Sequence, residues 1–228
     1  MSRAIQHAAE GFAVTPSQKF WQDFRAKDLG AWPGFDAIFM PGGKIPEVGQ
    51  HFVQRQLART FERIAQNGPR EFYEGALAAE LAAGLQKAGS PLTAADLAAC
   101  KARDEVPLRV GYRGGELIGL RPPTQGITTL EIMGILERFN LRNIPEGSTD
   151  YYHLLVEAVK YAFIDRNRYI ADPDFVDVPS ERLLSKEHLD RLAKKIDMQK
   201  ALPWPHVFNP ADTVYIAAAD SEGRCVSM

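Results

Sequence analysis

Apolar residues recur at helical spacing through most of this chain, and glycine or proline stops each run before it grows long. In residues 54–67, Leu57, Phe61, Ile64 and Ala65 share one face, and Gly68-Pro69 follows as a stop. Residues 75–88 form an Ala- and Leu-rich run closed by Gly89. Thr93 is placed to cap a short helix over 93–97, with Asp96 at the capping-box position. Residues 4–13 and 17–27 read as two further helices, the second with Ser17 as N-cap, and Trp32-Pro33-Gly34 ends the pattern. Three more helices are predicted over 128–139, 148–168 and 185–196, the second entered through Ser148 or Thr149 and the third through Ser185. Strand signals are fewer. Residues 36–40 read as a brief extended piece before Pro41-Gly42-Gly43, and 108–112 and 116–120 as a hairpin around Arg113-Gly114-Gly115. Residues 213–219 are a β-prone run, followed by a turn at 220–223 and a second strand from Arg224. The pattern predicts a helix-rich α+β class.

Composition narrows the function. With 228 residues, 45% of them hydrophobic, the chain can bury a sizeable core. A formal charge of −2 supplies no general positive field, so nucleic acid is not an expected partner. Cys100 and Cys225 are too far apart in sequence for a CxxC-type zinc motif or a disulfide framework. No apolar run approaches the roughly 20 residues that span a bilayer, so no membrane span is expected. The opening MSRAIQHAAEGF is too polar for a signal h-region. Asp165, Asp172 and Asp174 read as a helix end and an Asx-Pro turn rather than a metal site, and neither metal nor cofactor is expected. His7, His51, His153, His188 and His206 accompany no GxSxG elbow.

The chemistry therefore rests on the segment ADTVYIAAADSEGRCVSM. Taken alone, Thr213 is a strand residue, because its branched side chain suits a pleat. Its setting gives it another meaning. Asp212-Thr213-Val214-Tyr215, followed by Asp220, Gly223 and Ser227, resembles the start of the small subunit of the γ-glutamyltranspeptidase (γ-glutamyltransferase) family. The resemblance extends upstream through most of the chain. It includes Gln56-Leu57-Ala58-Arg59-Thr60, Phe72-Tyr73-Glu74-Gly75, Leu92-Thr93-Ala94-Ala95-Asp96-Leu97, Glu157-Ala158 with Phe163, Asp165-Arg166 and Asp172-Pro173-Asp174-Phe175. Pro122-Pro123-Thr124-Gln125-Gly126 stands where many members have a proline-serine-glycine loop.

The resemblance implies part of the four-layer αββα sandwich of N-terminal nucleophile hydrolases. Residues 1–212 would be a mostly helical large-subunit portion and 213–228 the start of the small subunit, so the chain looks like an internal fragment of the enzyme. It further implies self-cleavage between Asp212 and Thr213, with Thr213 as the catalytic nucleophile and its freed α-amine as the base. The expected activity is ping-pong transfer or hydrolysis of the γ-glutamyl group of glutathione-like substrates, with water, amino acids or peptides as acceptors. Large and small subunits of one precursor would pair with each other. Glutamyl- and oxyanion-binding residues are expected outside this chain, and Arg121 and Arg166 read as surface or structural pairs. Many relatives are periplasmic or secreted; a chain complete as written would be cytoplasmic. A related glutaryl or cephalosporin acylase, and an inactive helical scaffold, are the alternatives.

Overall fold

A computed structural model describes residues 1–204 and 216–227 of the chain. Two compact units form, Met1–Arg103 and Asp104–Met228.

The first unit holds α1 (Ser2–Glu10), β1 (Phe12–Ala13), α2 (Pro16–Leu29), α3 (Phe35–Phe39), β2 (His51–Phe52), α4 (Arg55–Asn67), α5 (Ala76–Lys87) and α6 (Ala94–Ala99). Its buried residues are mostly small: Ala8 on α1, Ala58 on α4, and Ala78 and Ala82 on α5. Alanines on facing sides let α1 and α4 approach closely, and the Gln54 amide donates to the Ala8 carbonyl at 3.0 Å. Arg63 of α4 reaches Glu71 at 3.1 Å and Glu80 of α5 at 3.0 Å, and the Leu77 amide donates to the same Glu71 at 3.0 Å, so α4 and α5 share a polar joint. Thr93 and Asp96 make the predicted capping box on α6.

Three sequence expectations in this unit need correction. The helix read over 4–13 stops at Glu10, because Gly11 takes φ of 89° and Phe12–Ala13 turn away to pair with β2 as β1. Thr15, not Ser17, caps α2, because Pro16 occupies the first helical position and the Thr15 hydroxyl accepts from the Gln18 amide at 3.1 Å. Residues 36–40 are not extended; they lie largely in α3. Gly34 enters with φ of 88°, Asp36 bonds the Ala37 amide at 2.8 Å, and Phe35 and Phe39 stack at 5.1 Å across one turn. These local interactions outweigh the brake supplied by Pro41-Gly42-Gly43.

The second unit holds β3 (Leu108–Tyr112), β4 (Gly115–Gly119), α7 (Gly126–Leu136), α8 (Thr149–Tyr169), α9 (Ser180–Leu183), α10 (Lys186–Ala193), β5 (Ala217–Ala219) and β6 (Cys225–Ser227). Strands β3 and β4 pair antiparallel with Tyr112 opposite Gly115, and Arg113 and Gly114 both take positive φ at the turn, which is why a glycine stands there. The predicted caps Ser148 and Ser185 accept from the Tyr151 and His188 amides.

The core of this unit surrounds α7. Ile127, Leu130, Ile135 and Leu136 are all buried, and they meet Leu108 and Val110 of β3, Leu154 and Ala158 of α8, Leu183 of α9, and Leu189 and Leu192 of α10. A helix with apolar residues around most of its circumference must be largely enclosed, and only Thr129 of α7 is exposed. Gly126 permits the close entry: a Cβ there would lie 2.6 Å from the carbonyl oxygen and 2.7 Å from the amide nitrogen of Leu120, both main-chain atoms that cannot swing aside.

Gly126→Ala is expected to destabilise the chain by about 1–3 kcal/mol, whereas Gly84→Ala, in the interior of α5 with no atom within 4 Å of the new methyl group, should stabilise it by roughly 0.5–1 kcal/mol. Denaturant unfolding of both variants checks the pair. A Gly126→Ala protein as stable as the parent would contradict the approach of the Leu120 main chain to α7.

Candidate functional site

Asp212 and Thr213, the residues that the sequence singles out, lie outside the described residues. The described chain upstream of them is held against α8, and downstream of them it forms a short exposed hairpin. Residues 195–204 run along α8 and are held by a succession of its side chains. The Tyr161 hydroxyl donates to the Lys195 carbonyl at 3.0 Å, and His153 Nε2 lies 2.9 Å from the Asp197 carbonyl oxygen. Lys160 Nζ donates to the Leu202 carbonyl at 2.8 Å, and the Leu202 amide donates to Glu157 Oε2 at 3.0 Å. Trp204 lines an apolar groove together with Leu155, Val156, Val159 and Phe163.

Beyond the undescribed stretch, β5 and β6 pair antiparallel with Ala217 opposite Ser227, joined by a turn that Asp220 organises. Its carboxylate accepts from the Glu222 amide at 2.9 Å, the Arg224 amide at 3.0 Å and Arg224 Nε at 2.6 Å. These contacts, led by the Arg224 side chain, hold the Asp220 carboxyl below the usual carboxylate range. Gly223 at φ of 81° closes the turn.

The structure also assembles a polar cluster that the sequence reading did not anticipate. Glu131 of α7, Asp165 of α8 and His188 of α10 meet in the core, all buried. His188 Nε2 lies 2.7 Å from Asp165 Oδ2 and 3.2 Å from Glu131 Oε1, and Arg191 Nη2 lies 2.6 Å from His188 Nδ1. Burial first, and hydrogen bonding to Asp165 second, push the Glu131 carboxyl up to about 10.

Asp165, set aside in the sequence as part of a helix end, is therefore a buried member of a three-helix junction. Sequence spacing could not show this, because its partners lie 34 residues before it and 23 after it. One local signal existed: Glu131 is a lone carboxylate inside an otherwise apolar helix. Arg121 and Arg166 behave as expected. Arg121 pairs with Glu181 at 3.0 Å, and Arg166 covers the Phe163 ring and bonds Asn167 and Gln125.

Two carboxylates and an imidazole with ligand atoms within 4.8 Å of one another could in principle hold a cation. Arg191 argues otherwise. Arginine can only donate, so His188 Nδ1 accepts, and Nε2 must carry the ring proton that points at Asp165 and Glu131. A metal would need the Nε2 lone pair instead. The junction is filled by protons: Arg191 to His188, then His188 to the two carboxyl groups, with neutral Glu131 hydrogen-bonded to Asp165.

This architecture is that of an N-terminal nucleophile hydrolase, of which the chain is a helix-rich α+β portion. The cephalosporin acylase of Bacillus halodurans superposes on it with a TM-score of 0.84 and 34% identity, covering 100% of this chain and 42% of that one. The family model for gamma-glutamyltranspeptidase matches residues 1–228, and the chain belongs to the gamma-glutamyltranspeptidase family. It is 38% identical over 227 residues to the oxamate amidohydrolase proenzyme of Klebsiella pneumoniae, covering 100% of this chain and 43% of that protein. It is 37% identical over 236 residues to the glutathione hydrolase proenzyme of Escherichia coli, covering 99% and 40% respectively. The chain thus spans well under half the length of these relatives. No helix among the described residues is long and apolar enough to cross a membrane.

The buried carboxyl of Glu131 gives a pH test. Below about pH 4.5 it is protonated in both folded and unfolded chains. As pH rises from there towards about 10, only the unfolded chain ionises it, so stability drains away across that window. The loss is at most about 1.4 kcal/mol per pH unit. Glu131→Gln, which keeps a donor towards Asp165 and cannot ionise, should remove that component. Its stability relative to the parent should improve steadily between pH 5 and 9 in denaturant titrations, and parallel curves for the two proteins would contradict the assignment.

Proposed function

We propose that this chain is the maturation segment of a self-processing amide hydrolase and acyltransferase, in which the bond between Asp212 and Thr213 is cut and Thr213 becomes the catalytic nucleophile. The observation that carries the reading is a family match over residues 1–228, a range that includes Asp212-Thr213. Proteins named as proenzymes are similar over the same stretch, which supports processing.

In the precursor, the Thr213 hydroxyl attacks the carbonyl carbon of Asp212, and the acyl group moves from nitrogen to oxygen. Water then hydrolyses the ester, leaving a carboxylate on Asp212 and a free α-amine on Thr213. That amine, with a reference pKa near 7.7–8.0, is suited to take the proton of its own hydroxyl near neutral pH. No histidine is needed, and the reading assigns no catalytic role to the buried His188.

The mature threonine attacks a substrate amide through a tetrahedral oxyanion, expels the amine, and passes the acyl group to water or to an amino acid or peptide. We favour a γ-glutamyl donor such as glutathione, in line with the glutathione hydrolase proenzyme among the relatives. A second reading, a cephalosporin-type acylase, is favoured by the fold match to the Bacillus halodurans enzyme. The oxamate amidohydrolase relative adds a third amide to be assayed. On any of these readings the large portion, residues 1–212, pairs with the small portion beginning at Thr213.

Expression of the full form that the gene encodes, followed by intact-mass analysis and N-terminal sequencing, tests the proposal. Two pieces divided between Asp212 and Thr213 are expected, with Thr213→Ala remaining whole and its amide turnover falling to background. γ-Glutamyl, glutaryl and oxamate amides, assayed in parallel on the cleaved protein, then separate the substrate readings. A protein that stays whole and consumes none of these amides would remove the enzyme reading.

A further inference from the structure

Glu157 and Lys160 stand one turn apart on α8. Glu157 is only 2% exposed and Lys160 15%. They bond each other at 2.7 Å, and together they take both main-chain polar groups of a single residue, the Leu202 amide by the carboxylate and the Leu202 carbonyl by the ammonium. Side chains here do for one residue what a neighbouring strand does in a sheet. Replacing a buried ion pair by apolar side chains is often neutral or stabilising, so such a pair is poor material for stability alone and better suited to fixing a register.

The residue it fixes is telling. Leu202 lies ten positions before Asp212, and Trp204, two residues on, lines an apolar groove with residues of the same helix. The anchors at Lys195 and Asp197 lead up to this point from upstream.

We propose that Glu157 and Lys160 are positioning residues for the maturation cleavage: by fixing the main chain at Leu202 they set where the segment carrying Asp212 and Thr213 leaves α8. The proposal rests on the self-processing reading above. Neither residue is assigned contact with the reacting atoms. Where cleavage requires the clamped geometry, losing a hydrogen bond to a charged group slows it about tenfold or more.

The test is a maturation time course on the full form that the gene encodes, read by intact mass, for Glu157→Leu, Lys160→Met, Leu202→Pro and Thr213→Ala. Leu202→Pro removes the amide hydrogen that Glu157 accepts while leaving α8 untouched. Each of the first three is expected to mature at least about tenfold more slowly than the parent, and Glu157→Leu combined with Leu202→Pro should be no slower than the slower single variant, since both break the bond from the Leu202 amide. Hydrogen exchange on the uncleaved Thr213→Ala precursor gives a second readout. Adding Glu157→Leu should expose the Leu202 amide while peptides from α8 stay as protected as before. Maturation at the parental rate by a parent that does cleave, or full additivity in the double variant, overturns the positioning role and leaves the self-processing reading intact. A parent that never cleaves at Asp212–Thr213 overturns both.

Discussion

Helix α7 leaves only Thr129 exposed, and the second unit is organised by that near-complete burial. Ile127, Leu130, Ile135 and Leu136 point in different directions and are all buried. Each needs a different wall: the β3–β4 hairpin, α8, α9 or α10. Burying one such side chain is worth roughly 1.5–3 kcal/mol. Losing any wall would therefore expose more apolar surface than a marginally stable fold can spare. The entry of α7 is equally constrained, because the Leu120 main chain comes close enough at Gly126 to exclude any side chain.

Within that apolar shell the buried polar groups are few and specific. Glu131, Asp165 and His188 join α7, α8 and α10 at one point, while Glu157 and Lys160 join α8 to the chain at Leu202. Both arrangements satisfy their buried members with partners from elsewhere in the sequence, which is the condition under which polar groups are tolerated in a core. Apolar packing brings the helices together without strong directional preference. The polar contacts choose among the packings that remain.

Much of the secondary structure was legible in the sequence because its signals are local. The caps at Thr93, Ser148 and Ser185, the stop at Gly68-Pro69 and the turn at Arg113-Gly114 each act within a few residues, and each sits as read or within a residue or two. Residues 36–40 were misread because the stacking of Phe35 on Phe39 has the spacing of a helix, while the following Pro41-Gly42-Gly43 draws attention to a break. The Glu131, Asp165 and His188 junction was not legible, since nothing short of the tertiary fold brings three such distant positions together. Thr213 carries no local mark that separates it from any other threonine in a β-prone run; its candidacy comes from the company it keeps along the chain, and the family model matches that whole length, residues 1–228.

The way Leu202 is held has a further consequence for how this sequence can drift. Its partners address the peptide groups common to all residues but one, and take no account of the side chain. Position 202 is thus free to change identity among nineteen amino acids so far as this contact is concerned, while the information that fixes it is stored 42 and 45 residues upstream, at Lys160 and Glu157. A comparison of sequences that looked for constraint at the tethered residue would find little. The constraint would surface on α8, as an acidic and a basic residue kept one turn apart for no reason visible on that helix.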